Sequence, residues 1–320
     1  MGTEEGTDRV TPKAVRSVHR CYGLTIESDI LLPDLGSTVD APEGGSDVTV
    51  RLGDLGPRPA EAAALTLGLW RLGDRIGFAV PGTGAFLVEA GRRIVADPEP
   101  DADPAAVRLY VLGTALGALM SQRNHLVLHG NAFRVGDAAA VVVGPSGAGK
   151  STLAAELHRR GIEVLSDDVV PVDPHGRALL GFPRIKLCED AADRLGLDTT
   201  QLDRVARSVP KFQLPVRRTT TDPLPVRWVY VLERHTGPEL EIEPASGMEA
   251  FSLLHENTYR NELLHGREVL DQHLVQCAQL AAQARISRVT RPVHTMTAEA
   301  TADAILSDIA ARDDPTQESA

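Results

Sequence analysis

The chain reads as an α/β fold, a sheet covered by helices, with a smaller β-rich domain ahead of it. Three observations predict this. Residues 144–151 read Gly-Pro-Ser-Gly-Ala-Gly-Lys-Ser, the spacing of a glycine-rich loop between a strand and a helix. Val141, Val142 and Val143 lead into that run, and a helix-like stretch from Thr152 to Arg160 follows it. Downstream, short apolar runs alternate with helical ones, the pattern of a layered α/β domain.

The first 16 of the 320 residues are polar and predict a disordered N-terminus. Residues 17–104 predict the small β-rich domain and its linker. Apolar runs such as Tyr22–Ile26, Val48–Leu52, Ile76–Val80 and Ala85–Val88 are separated there by glycine turns. The stretch from Pro57 to Leu67 reads as a short helix or a loop, and Pro98–Pro104 is acidic and proline-rich, as linkers are. Residues 105–311 predict the main domain. Apolar residues at helical spacing (Val107, Val111, Leu112, Ala115, Leu116, Leu119) place a helix over Val107–Arg123. Two strands, His125–Val135 and Ala138–Val143, flank Gly136-Asp137, a two-residue hairpin signal. Ser151–Arg160 is helical and Gly161 caps it. Ile162–Leu165 and Val169–Val172 read as strands on either side of Ser166-Asp167-Asp168. Later come a strand at Trp228–Glu233, helices at Ala250–Leu264 and Asp271–Ala284, a strand at Ser287–Arg291 and a closing helix at Ala298–Ala311. Residues 312–320 read as a disordered tail.

Composition narrows the function classes. The net charge of −11 argues against nucleic acid and against an anionic membrane as partner. Cys21, Cys188 and Cys277 lie far apart and form neither a disulfide framework nor a zinc-ligand spacing. No signal peptide and no apolar run near 20 residues is evident, which points to a cytoplasmic protein.

The glycines of residues 144–151 let successive backbone N–H groups converge on one anion. Lys150 can reach the outer phosphates of a nucleotide, Ser151 can offer its hydroxyl to Mg²⁺, and the helix N-terminus favours negative charge. The predicted phosphate-binding set is Gly144, Pro145, Ser146, Gly147, Ala148, Gly149, Lys150, Ser151 and Thr152. If Gly136-Asp137 is the turn, paired residue numbers sum to 273, so Asn131 faces Val142 and His129 faces Gly144. That register brings His129 beside the phosphates. Asp167-Asp168 follows Lys150 by 17 residues and is expected at the carboxyl end of the neighbouring strand, where α/β sheets bind ligands. One carboxylate can hold Mg²⁺ and the other can take a proton from an attacking hydroxyl. Lys211, Arg260, Arg184 and Lys186 are weaker candidates for phosphate contacts, and residues Pro210–Pro225 read as a lid or a long connection.

His129-Gly130, Gly144 to Ser151, Arg160-Gly161 and Ser166-Asp167-Asp168 together resemble the HPr kinase/phosphorylase family, which shares its P-loop nucleotide-binding core with phosphoenolpyruvate carboxykinases. The match covers residues 125–173. Tyr22-Gly23-Leu24 and Gln122-Arg123 resemble the HPr-kinase-like serine kinases of peptide-modification clusters, including lasso-peptide kinases. The resemblance implies that Lys150 holds the β- and γ-phosphates, that Ser151 and Asp168 serve Mg²⁺, and that Asp167 is the general base. It gives His129 a place against the phosphates or that base. Thr152 stands where HPr kinases carry an acidic residue, and their downstream docking signature is missing, so HPr itself is not the expected substrate.

These readings converge on an ATP- or GTP-dependent, magnesium-requiring kinase acting on a hydroxyl, a serine of a peptide or protein. HPr kinases assemble as hexamers, so the resemblance leaves a homo-oligomer open, although no sequence feature marks an interface. Two alternatives stay open: a small-molecule kinase on the same core, and a nucleotide-gated binding module without transfer.

Overall fold

The computed structural model describes residues 16–65, 68–293 and 297–312. The two ends expected to be disordered lie outside these, except for Arg16 and Arg312. The fold is mixed α/β. The first sheet is built from β1 (Ser17–Cys21), β2 (Leu24–Ser28), β3 (Val48–Leu52), β4 (Ala63–Ala64), β5 (Trp70–Leu72), β6 (Arg75–Val80), β7 (Gly84–Glu89) and β8 (Arg93–Pro98). Its order is β1-β2-β3-β8-β7-β6-β5-β4. Tyr22 and Gly23 form the two-residue turn between β1 and β2. Both have positive φ (52° and 75°), as a type I′ turn requires. Tyr22 is buried there, and its hydroxyl donates to the Val169 carbonyl at 3.0 Å.

A long helix follows as α1 (Pro104–Tyr110), a π-helical turn (Val111–Ala115) and α2 (Leu116–Gln122). Asp103 caps it, accepting from the Ala105 N–H at 3.0 Å, and Pro104 occupies the first turn. This 19-residue helix is long and apolar enough to cross a membrane, which corrects the reading that no apolar run approaches 20 residues. Its apolar side chains are instead spent on the core, with 67% of its apolar window buried. Val111, Leu116 and Met120 share one cluster with Ile26, Val48 and Phe86 of the first sheet.

The remaining elements are β9 (Leu126–Val135), β10 (Ala138–Val143), α3 (Lys150–Arg159), β11 (Val164–Val172), β12 (Arg177–Ala178), β13 (Arg184–Cys188), α4 (Glu189–Arg194), β14 (Asp203–Ala206), β15 (Val209–Pro215), β16 (Leu224–His235), β17 (Glu241–Ala245), α5 (Gly247–Glu256), α6 (Arg267–Gln283), β18 (Arg285–Pro292) and α7 (Ala298–Arg312). Strands β13, β14 and β15 make a small sheet of their own. In the central sheet β10, β16 and β18 run parallel, so their carboxyl ends share one edge. Apolar side chains pack on both faces of this sheet, as parallel strands demand.

The β9–β10 hairpin has the expected register, with Val135 opposite Ala138 and Asn131 opposite Val142. The expectation for Asp167-Asp168 needs correction. β11 runs unbroken through both residues, and β9 lies between β11 and β10. Gly130 pairs with Val143 on one side and Asp168 on the other. The strand accommodates the pair because Asp168 takes a left-handed conformation (φ 70°), one that Asp tolerates better than most residues, while the Ser166 hydroxyl donates to the Val169 carbonyl at 2.6 Å. The helix expected over Ala250–Leu264 ends at Glu256. β10 pairs with β9 no further toward its start than Gly130, so the backbone of Val127–His129 would be unpaired on that side. Residues 257–259 fill the place: His129 N–H donates to the Asn257 carbonyl and Tyr259 N–H to the Val127 carbonyl, both at 2.8 Å. The stretch read as a lid is β15 and an anchored connection, in which Glu163 accepts from the Thr220 N–H at 2.7 Å and the Thr220 hydroxyl at 2.8 Å.

A Cβ at Gly130 would collide with the Val142 carbonyl oxygen across the β9–β10 ladder. Gly130→Ala should therefore destabilise the fold by about 1–3 kcal/mol. Denaturant unfolding checks this, and an unchanged midpoint would show that β9 does not pack so closely.

Candidate functional site

Residues 144–149 connect β10 to α3. Gly144, Gly147 and Gly149 adopt φ of 141°, 78° and 99°, which a side chain would strain. Lys150 opens α3, and its ammonium turns back to donate to the Gly144 carbonyl at 2.6 Å and the Pro145 carbonyl at 3.2 Å. Burial pulls its pKa down to about 8. The first turn of α3 carries no acidic side chain, so its positive end is left uncompensated.

A cavity of about 830 Å³ opens over this loop, within the range of small-ligand sites. Ser146, Gly147, Gly149, Lys150, Ser151 and Thr152 line it. Three predicted contacts lie elsewhere. The Ala148 side chain packs into the core with Leu153 and Tyr230, and Gly144 and Pro145 line a neighbouring cavity.

His129, Asn131, Asp167 and Asp168 line the same 830 Å³ cavity. The β9 pairing puts them there. Asn131 sits opposite Asp167 and donates to its carboxylate, and the Lys186 N–H donates to it at 2.8 Å. Burial, reinforced by the charge of Asp168, raises the Asp167 pKa to about 6. Asp168 has the opposite fate. Burial opposes its charge, but Lys186 donates to its carboxylate at 2.9 Å and holds it well below the usual carboxylate range. The Lys186 ammonium is in turn held above its ordinary value. The His129 Nδ1 lies 3.1 Å from the Asp168 carbonyl and 3.6 Å from its carboxylate. Burial, then the Lys150 charge, lowers the His129 pKa and favours the neutral ring.

The predicted cations divide. Lys211 lines the loop cavity, whereas Arg260 does not: it lines the adjoining cavity on the far side of His129 and Asp168. Its placement follows from the early end of α5, which returns residues 257–260 to β9. Arg184 reaches the Pro33 carbonyl at 2.9 Å and ties the small sheet to the N-terminal region. Two arginines escaped the sequence reading. Arg234 donates to the Gly147 carbonyl and Arg291 to the Ala148 carbonyl. They stand at the carboxyl ends of β16 and β18, and the signal that points to them is the cation closing each apolar strand beside the loop strand.

Oxygen donors for Mg²⁺ are at hand in the Ser151 hydroxyl and the Asp168 carboxylate, both lining the loop cavity. Among the described residues no cluster of three or more His, Cys, Asp or Glu forms a metal cage. One or two protein oxygens, completed by phosphates and water, suit Mg²⁺.

The raised pKa of Asp167 has a stability consequence. Its folded value of about 6 exceeds the ordinary 3.8, so the folded state holds the proton more tightly and stability falls as pH rises between those values. Asp167→Asn removes the buried charge, and the Asn131 Oδ1, which has no hydrogen-bond partner among the described residues, can accept from the new amide. The variant should be more stable than the parent by about 1–3 kcal/mol at neutral pH and equal to it near the lower end of that window. Unfolding curves at both pH values check this, and a variant less stable at neutral pH would contradict the buried-charge account.

No family model matches the chain, and no curated protein matches it. Among solved structures it is similar to the HPr(Ser) kinase/phosphatase of Coxiella burnetii, with 13% identity over 58% of this chain and 94% of that one, at a TM-score of 0.24. The likeness is a distant one of fold and carries no weight for the chemistry of the site.

Proposed function

We propose that this chain is a magnesium- and nucleotide-dependent kinase with a core of the HPr kinase type, passing the γ-phosphoryl group of ATP or GTP to a hydroxyl, a serine on a peptide or protein. One observation carries the reading: a single cavity gathers the glycine-rich loop, Lys150, Ser151 and two aspartates whose pKa values are driven apart. Divergent neighbouring carboxylates mark an acid–base pair, because one stays charged while the other exchanges a proton near neutral pH.

In this reading the loop N–H groups and the α3 N-terminus hold the phosphates, and Lys150 leaves its carbonyl partners for the β- and γ-phosphates. Bound Mg²⁺ supplies charge neutralisation on those phosphates, with Ser151 and Asp168 as its protein ligands. The acceptor oxygen forms the new bond to the γ-phosphorus, the bond to the bridging oxygen breaks, and the nucleoside diphosphate leaves. The hydroxyl proton passes to Asp167, a stronger base than an ordinary carboxylate yet largely ionised at neutral pH. His129 keeps the Asp168 backbone in place, and Lys211 adds positive charge to the cavity.

Titration calorimetry with ADP and Mg²⁺, together with transfer of labelled γ-phosphate to serine peptides, tests the assignment. Lys150→Ala should weaken nucleotide binding at least about ten-fold. Asp167→Asn should cut transfer by about 10²–10⁴ while leaving nucleotide affinity within about two-fold. A chain that takes up no nucleotide removes the kinase reading, and full transfer by Asp167→Asn removes the base assignment.

A further inference from the structure

A second cavity of about 420 Å³ adjoins the loop cavity. His129 and Asp168 line both, so these two residues form the partition between them. Its walls are specified by the sequence. The π-helical turn presents Gly113 and Thr114 to the space, and residues 256–260 with Glu262 line the opposite side. Gly113 and Gly117 leave a notch on the helix that admits the Tyr259 ring. A Cβ at Gly117 would come within 2.8 Å of that ring, and one at Gly113 within 3.4 Å of its hydroxyl. The ring in turn packs against His129, with centroids 5.7 Å apart.

Among the described residues lining this second cavity Arg260 is the one Lys or Arg, and it stands among the carboxylates of Asp168, Glu256 and Glu262. It has a left-handed backbone (φ 51°), an uncommon state for an arginine, and its guanidinium is only about one-third exposed. Among the described residues its guanidinium donates to the Thr114 hydroxyl at 3.3 Å, forms an ion pair with Glu262 at 3.9 Å and lies 6.0 Å from the centre of the Tyr259 ring. A guanidinium has five N–H donors in a planar fork; one hydrogen bond and one long ion pair leave donors open, and a carboxylate bound face-on to the fork would replace the distant Glu262 partner.

We infer that this second cavity holds the phosphoryl acceptor, and that Arg260 selects acceptors carrying a carboxylate near the reacting hydroxyl. The inference rests on the kinase reading. The acceptor's acidic end stays with Arg260 and Thr114, while its hydroxyl passes His129 and Asp168 into the loop cavity, where Asp167 takes the proton. Two sources offer this chemistry: an acidic serine peptide, and a small hydroxy acid.

Transfer of labelled γ-phosphate to paired acceptors tests it. One pair is a serine peptide with a neighbouring Glu and its Gln counterpart; the other is N-acetylserine and its amide. The carboxylate member of at least one pair should react about ten-fold faster or more by kcat/KM, and the preferred pair identifies the source. Arg260→Gln should abolish the preference through KM while nucleotide affinity stays within about two-fold. Arg260→Lys, which keeps the charge but loses the fork, should recover part of it. Equal rates within both pairs, transfer to none of the four by a chain that binds nucleotide, or an unchanged preference in Arg260→Gln each overturn the inference and leave nucleotide binding standing. Failure to bind nucleotide removes the kinase reading and this inference with it.

Discussion

Gly130 governs how closely three strands approach, and the site depends on that approach. It pairs with Val143, the last residue before the glycine-rich loop, and with Asp168 on the other side. A side chain at this position would meet the Val142 backbone, so the spacing is fixed by the absence of one. His129 and Asn131 flank Gly130 and inherit their places from it. Both line the loop cavity beside the carboxylates they serve. The loop and the acids are 17 residues apart in sequence, yet one ladder position sets their separation in space.

The electrostatics follow from burial. Two adjacent carboxylates largely withdrawn from water cannot both be ionised cheaply. Lys186 breaks the symmetry by placing its ammonium on Asp168 and only its backbone N–H on Asp167. One residue on a neighbouring sheet therefore assigns different protonation behaviour to two chemically identical side chains. The cations on the loop side do related work. With Lys150, Arg234 and Arg291 all donating to loop carbonyls, the loop is held by charges that a phosphate would attract.

Much of this was legible in the sequence because it is local. The loop, the start of α3 and the hairpin register depend on residues within a few positions of one another, and Gly136-Asp137 dictated the pairing of Asn131 with Val142. What depends on long-range pairing was not legible. Nothing around Ser166-Asp167-Asp168 tells that β9 intervenes before β10, or that Asp168 bends left-handed so that the strand continues. Arg234 and Arg291 lie about 85 and 140 residues beyond the loop, and only the parallel order of β10, β16 and β18 brings them back. Arg260 illustrates the same limit. The segment 257–260 stops being helical because it must satisfy the open side of β9, a demand written in another part of the chain.

The long helix connects these levels. Its apolar residues belong to the core of the N-terminal sheet, while its π-helical turn faces the second cavity. A π-turn inserts one residue into the helical repeat, so the faces on either side of it no longer coincide. One element can then bury Val111 and Leu116 on its core side and still present Gly113 and Thr114 toward Arg260. Tyr22 joins the opposite end of this arrangement to the site, because its hydroxyl bonds the carbonyl of Val169, the residue after Asp168. The N-terminal sheet thus braces the strand that carries the two aspartates and supplies the packing that holds the second cavity's wall in place. A change in how that sheet packs would reach the site through both contacts at once.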